Sequence, residues 1–234
     1  MRLIIRQTKI FLNSAVLFFI IIGCSSFNSK ESEILAMPLS LNIERFDLQF
    51  HQSQSADIPV LKNNYPFLFP KKFHDSVWVK RQKDSLQLLL LENVENSFPS
   101  MDPFEEELEY LFKHLKYYFP RTRTPRVIGV INNVDYQSKT IYNDSLLLIS
   151  LDTYLGKNHP LYEGIPQYIR QEMDAKYLSS HVVNKFAEYK IPPPNDRSFL
   201  SMMVYEGKKI YLEDWVLPRL SESQKMGFTD EQYQ

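Results

Sequence analysis

The only cysteine of this 234-residue chain, Cys24, stands directly behind its most apolar run, and that placement limits how the rest can be held together. With no second cysteine, disulfide staples and thiolate metal sites are excluded, so the chain beyond Cys24 must fold on its hydrophobic core. Ahead of it, residues 1–9 carry Arg2, Arg6 and Lys9 without an acid, and Ile10 to Ile22 is apolar apart from Asn13 and Ser14. A basic start followed by an apolar stretch of about 13 residues, roughly 20 Å as a helix, falls short of the ~20 residues that cross a bilayer. Residues 1–23 therefore read as a signal peptide, with the small Gly23 at the cleavage point before Cys24.

The tetrapeptide Ile21-Ile22-Gly23-Cys24 resembles the lipobox of bacterial lipoproteins, with Ile in the first position where Leu is commoner. The resemblance implies a diacylglycerylated Cys24 thiol, cleavage in front of it and acylation of the new amino terminus. Acyl chains contribute about 0.8 kcal/mol per buried methylene, so a multiply acylated Cys24 would hold the protein to a membrane stably. Residues 24–37, rich in Ser, Asn, Lys and Glu, then read as a polar tether. Ser25 and Ser26 follow the cysteine, with no Asp at the position that retains many enterobacterial lipoproteins in the inner membrane. The expectation is a lipid-anchored protein of the cell envelope, on the outer membrane facing the periplasm rather than on the inner membrane.

Beyond the tether, residues 38–234 are expected to form one α+β domain. The chain is 44% hydrophobic and 24% charged with a formal charge of −1, which argues against disorder and against general attraction to nucleic acid. In "LSLNIERFDLQF" apolar residues alternate with one slip at Glu44-Arg45, the pattern of a bulged first strand. "NNYPFLFPKKF" reads as an ordered aromatic turn, and residues 75–91 as a weaker helical segment. Phe104, Leu108, Leu111, Phe112, Leu115 and Phe119 recur at steps of three and four between Pro103 and Pro120, which predicts an amphipathic helix opened by Asp102. Glu105, Glu106 and Glu107 complement its positive end. "RVIGVIN", "VDYQSKTIY" and "SLLLISL" follow as short β-prone runs and are read as an antiparallel meander with the last run central. Helices are expected near 166–173 and 175–188, with Asp174 as a cap or kink between them, and over 198–216. Thr229 and Gln232 form a capping-box pattern that opens a further helix, so the chain reads as the amino-terminal part of something longer, lacking its C-terminal helices.

Chemistry leaves few marks. No Gly-rich phosphate loop, GxSxG elbow or cysteine nucleophile occurs, and no cofactor is implied. His51, His74, His114 and His159 lie on separate segments without ligand spacing. The expected reading of the basic run "PRTRTPR" is a solvated loop.

Taken in order, "FDLQF", "YPFLFP", "KYYFPRTRTPRV", "LLLISLDTYLGKNHPLYEGIPQYIRQEM" and "MMVYEGKKIYLEDWVLP" followed by "KMGFTDEQ" resemble the GldB family of gliding motility lipoproteins of the Bacteroidetes. The resemblance runs from residue 24 to residue 234, and family members generally continue further with more helices. It implies a non-catalytic envelope protein required for gliding, in a set that also supports type IX secretion, with other motility or secretion envelope proteins and the membrane as partners. Cys24 is the residue that carries over by position.

A second resemblance concerns the body. A meander, a helix holding His181 and a helix holding Glu206 come in the order of the zincin metallopeptidases, whose chemistry needs HExxH: two His one turn apart, a Glu base, and an open position on zinc. Here the segment is "HVVNK", with Val182 where the base would stand and Lys185 where the second His would stand. His181 and Glu206 are thus at most a vestigial site, and no metal is expected. Two alternatives remain beside the non-catalytic reading: a divergent zincin-type metallopeptidase, and a glycan-binding lipoprotein using the aromatics of "NHPLYEGIPQY". Tyr117, Tyr118, Tyr154, Tyr162 and Trp215 are candidate exposed aromatics for an interface.

Overall fold

The computed structural model describes residues 30–226 and Tyr233. Gly23, Cys24 and the Thr229/Gln232 pattern lie outside the described residues. Two compact units meet in sequence between Leu39 and Ser40. Of the first, the described part holds a helical stretch over residues 30–35. The second contains a four-stranded sheet and nine α-helices among its described residues.

The alternation of residues 39–50 produces a strand only at β1 (Ile43–Arg45), after which the chain turns directly into helix α1 (Phe46–Gln52). The expected bulged strand is thus replaced by a strand-to-helix corner. Its cause is local: the Asp47 carboxylate grips the Arg45 guanidinium at 2.7 Å, and Phe46 and Phe50, four apart, both enter one aromatic cluster. The "NNYPFLFP" segment follows α2 (Ile58–Asn64) as a 3-10 turn, Pro66–Leu68, flanked by buried Tyr65 and Phe69. Residues 75–91 hold two helices rather than one segment, α3 (Asp75–Gln82) and α4 (Ser85–Ser97). Asp84 separates them by accepting the Gln87 N–H as an N-cap. The amphipathic pattern forms α5 (Asp102–Tyr118), with Phe104, Leu108, Leu111, Phe112 and Leu115 buried.

The three β-prone runs are strands: β2 (Arg126–Val130), β3 (Thr140–Asn143) and β4 (Leu146–Ser150). They do not form a meander. The sheet order is β1-β2-β4-β3, with β1 and β2 parallel, β2 and β4 parallel, and only the β3–β4 hairpin antiparallel. The chain leaves the carboxyl end of β2, passes over one strand position, and enters β3, so the apolar β4 returns into the vacant central slot. That slot buries one face of β4 at Leu147 and Ile149 and half-covers the other at Leu146 and Leu148, which suits its near-continuous apolar run. The class is therefore α+β, with a mixed sheet.

Register assigns the two faces. Ile43, Val127, Leu147 and Tyr142 share one, and the rings of Phe112 on α5 and Phe186 on α7 (Leu178–Lys190) pack on Tyr142 there. Gly129 is on the same face, where an added Cβ would sit 2.7 Å from Leu151 Cδ1. Ile128, Leu148 and Ile141 share the other, which meets the cluster of Phe50, Ile58, Leu61, Tyr65, Phe69 and Trp78 from α1 to α3. The remaining elements are α6 (Gln167–Arg170), α8 (Phe199–Val216) and α9 (Glu222–Lys225). Asp174 caps a 3-10 turn before α7, as its position implied, and Ser198 caps α8 through the Ser201 N–H.

Candidate functional site

His181 sits on the second turn of α7, and three segments distant in sequence converge on it. Lys139 precedes β3, Tyr154 follows β4, and Glu172 lies in the turn after α6. A bridge between Leu155 and Asp174 draws the last two segments together. Tyr162 fixes the same corner from inside: its hydroxyl donates to the Asp152 carbonyl at 2.9 Å and accepts the Leu155 N–H at 2.8 Å. Both ring nitrogens of His181 are engaged. Nδ1 is 2.9 Å from the Tyr154 hydroxyl, and Nε2 is 3.3 Å from Lys139 Nζ and 3.5 Å from Glu172 Oε2.

The electrostatics follow from burial and from these partners. Burial pushes His181 below the ordinary histidine range, with the Lys139 ammonium acting the same way against the raising effect of Glu172. The Glu172 carboxyl is held down at about 2 by its hydrogen bond with His181, aided by Lys139, which it meets at 3.0 Å. Full burial keeps the Tyr154 phenol protonated far into alkali. At neutral pH the ring is therefore neutral, lying between a phenol and a Lys–Glu ion pair. With Tyr154 O–H donating to Nδ1, Nε2–H faces Glu172; the other tautomer takes a Lys139 proton at Nε2.

The group borders a polar cleft of about 440 Å³ between β3, α6 and α7, lined also by Asn184, Lys185 and Glu188. A second cleft of about 270 Å³ shares Asn184 and Lys209 with it and includes Glu206 and Glu213. His181 and Glu206 thus border neighbouring clefts without meeting. Glu206 pairs with Lys209 one turn on at 2.7 Å, Lys185 pairs with Glu188 at 2.8 Å, and Val182 is fully buried. Among the described residues no three His, Cys, Asp or Glu side chains converge as a metal site. The arrangement locks a neutral imidazole by hydrogen bonds and supplies ion-pair polarity at a cleft wall.

The aromatic candidates divide. Tyr154 and Tyr162 are buried structural residues rather than exposed ones, so the loop of residues 158–168 loses Tyr162 from any glycan platform. Tyr117 and Tyr118 are half-buried, and Trp215 is 42% exposed and packs edge-on against Tyr118. Larger exposure occurs where periodicity alone gave no warning. The amino-terminal two-thirds of α8 displays Phe199 and Leu200, 80% and 69% exposed, with Met203, Val204 and Tyr211 beside them. The first two turns, Phe199 to Tyr205, are apolar on nearly every side before charges begin at Glu206, and such a stretch is ordinarily buried.

Among the described residues no helix is long and apolar enough to cross a membrane. By family comparison the chain falls among gliding motility proteins. The matching family model, described as gliding motility protein GldB, covers residues 27–234, and the chain belongs to the GldB family of gliding motility lipoproteins of the cell envelope. No curated protein and no solved structure matches it.

Proposed function

We propose that this protein is a non-catalytic lipoprotein, anchored through acylated Cys24, that supports the gliding and type IX secretion apparatus by binding other envelope proteins. Its membrane on this reading is the outer one, with the body in the periplasm. The observation that carries the reading is the exposed apolar length of α8. Large exposed apolar patches on otherwise polar surfaces mark interaction sites, and Met and aromatic side chains of the kind at Met203 and Tyr211 are enriched at such interfaces.

The test places a photo-crosslinker at Met203 of the full lipoprotein in its native membranes and follows colony spreading in parallel. Cross-links to motility or secretion envelope proteins are expected, absent when Phe199 and Leu200 are both changed to Asp and reduced in Cys24→Ala. Spreading should fail in the same variants while the protein remains folded and present. Normal spreading with Asp at both positions would overturn the reading.

A further inference from the structure

Helices α1 to α3 cover the second sheet face over β1 and β2, reach β4 only in part and leave β3 open. Ile141 on β3 is left 48% exposed, and the facing Leu148 is half-buried. The uncovered ground runs into a cavity of about 290 Å³ walled by Phe46, Phe50, Phe67, Phe69 and Trp78. All three parallel strands end at it: Val130 and Ser150, the last residues of β2 and β4, line it, and Phe46 directly follows the last residue of β1. Carboxyl ends of parallel strands are where open sheets commonly hold ligands.

One aromatic and one cationic side chain on the wall define what the cavity offers. Trp78 is 7% exposed and supplies ring surface to the wall, while its indole N–H, without a hydrogen-bond partner among the described residues, has no accessible surface and does not open to the cavity. Arg81, half-buried one turn further along α3, donates from Nε to Gln87 Oε1 at 3.3 Å and forms no ion pair among the described residues. The nearby acids make their direct contacts elsewhere, although the Arg81 charge reaches Asp152 at longer range. Asp47, also on the wall, holds Arg45, and Asp152 takes the N–H groups of Asn132 and Val134. His51 at the rim is pushed down by burial and stands 3.3 Å from the Gln82 carbonyl, so it contributes no charge at neutral pH. The cavity thus presents, above aromatic walls, a guanidinium that makes no direct ion pair among the described residues and feels the buried Asp152 carboxylate only at longer range.

We propose that this cavity binds a small organic acid with an apolar body, such as an aryl or short-chain aliphatic carboxylate, its head on Arg81 and its body among the Phe46, Phe69 and Trp78 rings. A guanidinium fork matches a carboxylate in plane and charge, and a cavity near the lower end of small-molecule sites admits a body on the order of ten heavy atoms. The site is independent of α8 and of the polar cleft at His181.

The chain contains two tryptophans, so a Trp215→Phe background leaves Trp78 as the only indole reporter. The full chain in lipid nanodiscs is titrated with 3-phenylpropionate, octanoate and the neutral 3-phenylpropionamide, against empty nanodiscs. At least one acid should shift Trp78 emission saturably, with the amide at least tenfold weaker. Arg81→Gln should remove the preference for acid over amide. Trp78→Phe, followed by calorimetry, should weaken the acid severalfold while the protein stays folded by circular dichroism. Absence of saturable binding, equal affinity for acid and amide, or an unchanged preference in Arg81→Gln would each overturn the assignment.

Discussion

Asp152 is fully buried in the turn after β4, and burial lifts its carboxyl from 3.8 to about 6. Its position is explained by what its oxygens hold. Both accept the Asn132 N–H at 3.1 Å, and Oδ2 accepts the Val134 N–H at 2.7 Å. The segment so gripped carries Asn133 and Val134 at φ of 55°, the left-handed region that a β-branched residue enters at a cost of about 1–2 kcal/mol. Gln87 from α4 bonds the Asn133 side chain and steadies the same loop. Val134→Gly is therefore expected to stabilise the fold by about 1 kcal/mol, since relief of strain outweighs the entropy a glycine adds. Asp152→Ala should destabilise by about 3 kcal/mol by leaving buried N–H groups unmet. Urea unfolding of both single variants and the double variant decides the matter. If the carboxylate is the brace, Asp152→Ala costs less in the Val134→Gly background; strictly additive effects would mean that the loop holds its shape without it.

At the scale of elements, α5 closes a sheet edge. β1 is an edge strand, and its outward N–H groups could pair with another chain. Instead Glu105 and Glu109, one turn apart on α5, accept the Ile43 N–H at 2.7 Å and the Leu41 N–H at 2.9 Å. Replacing both by Ala should cost about 2–4 kcal/mol and accelerate hydrogen exchange at Leu41 and Ile43, with the Gln pair recovering most of the loss. Unchanged exchange at those two amides in the Ala pair would show that the carboxylates do not close the edge. The same contact marks where a sequence becomes illegible. The extents of α5 and α8 are readable from three-and-four spacing, prolines and caps, all of which act within a turn or two. That Glu105 serves a strand 62 residues away is not, because its type and position already suit a helix amino terminus. Phe46 and Phe50 fit an alternating strand and a helical turn equally well, so the pattern predicts a longer β1 than forms. Strand order fails for the same reason of distance: three β-prone runs in succession say nothing of which pair will leave a slot between them. At the cleft, Val182 and Lys185 show from spacing alone that HExxH is absent. Lys139, Tyr154 and Glu172 are brought to His181 by a bridge and a turn that no local pattern encodes.

Over the whole molecule these buried acids set how stability depends on pH. Glu213, on the buried side of α8, is 5% exposed with Oε1 unpartnered among the described residues, and burial pushes its carboxyl from 4.5 up to about 7 against the lowering effects of Ser180 and Lys225. The folded state thus keeps a proton that the unfolded chain releases near pH 4.5. Stability from this group is full below 4.5, falls as pH rises to about 7, and is level above. Asp152 acts in the same sense between 3.8 and about 6. Glu172 acts oppositely, with stability present above 4.5 and lost as pH falls toward about 2, and His181, kept neutral by burial, adds stability as pH rises toward 6.5. Because these contributions overlap, the total profile is less informative than a difference between two proteins. Glu213→Gln keeps the shape and removes the titration, so it should gain on wild type as pH rises from 4.5 to 7, by on the order of 3 kcal/mol at most. Urea unfolding at half-unit steps from pH 4.5 to 8 should show the two curves diverging over that window and running parallel above it. Curves parallel throughout would mean that Glu213 titrates in the folded protein as it does in the unfolded chain. Lys225 on α9, which pairs with Asp214 and Glu222 at 2.9 Å, would then be neutralising it as well, and α9 would be an electrostatic clamp on α8.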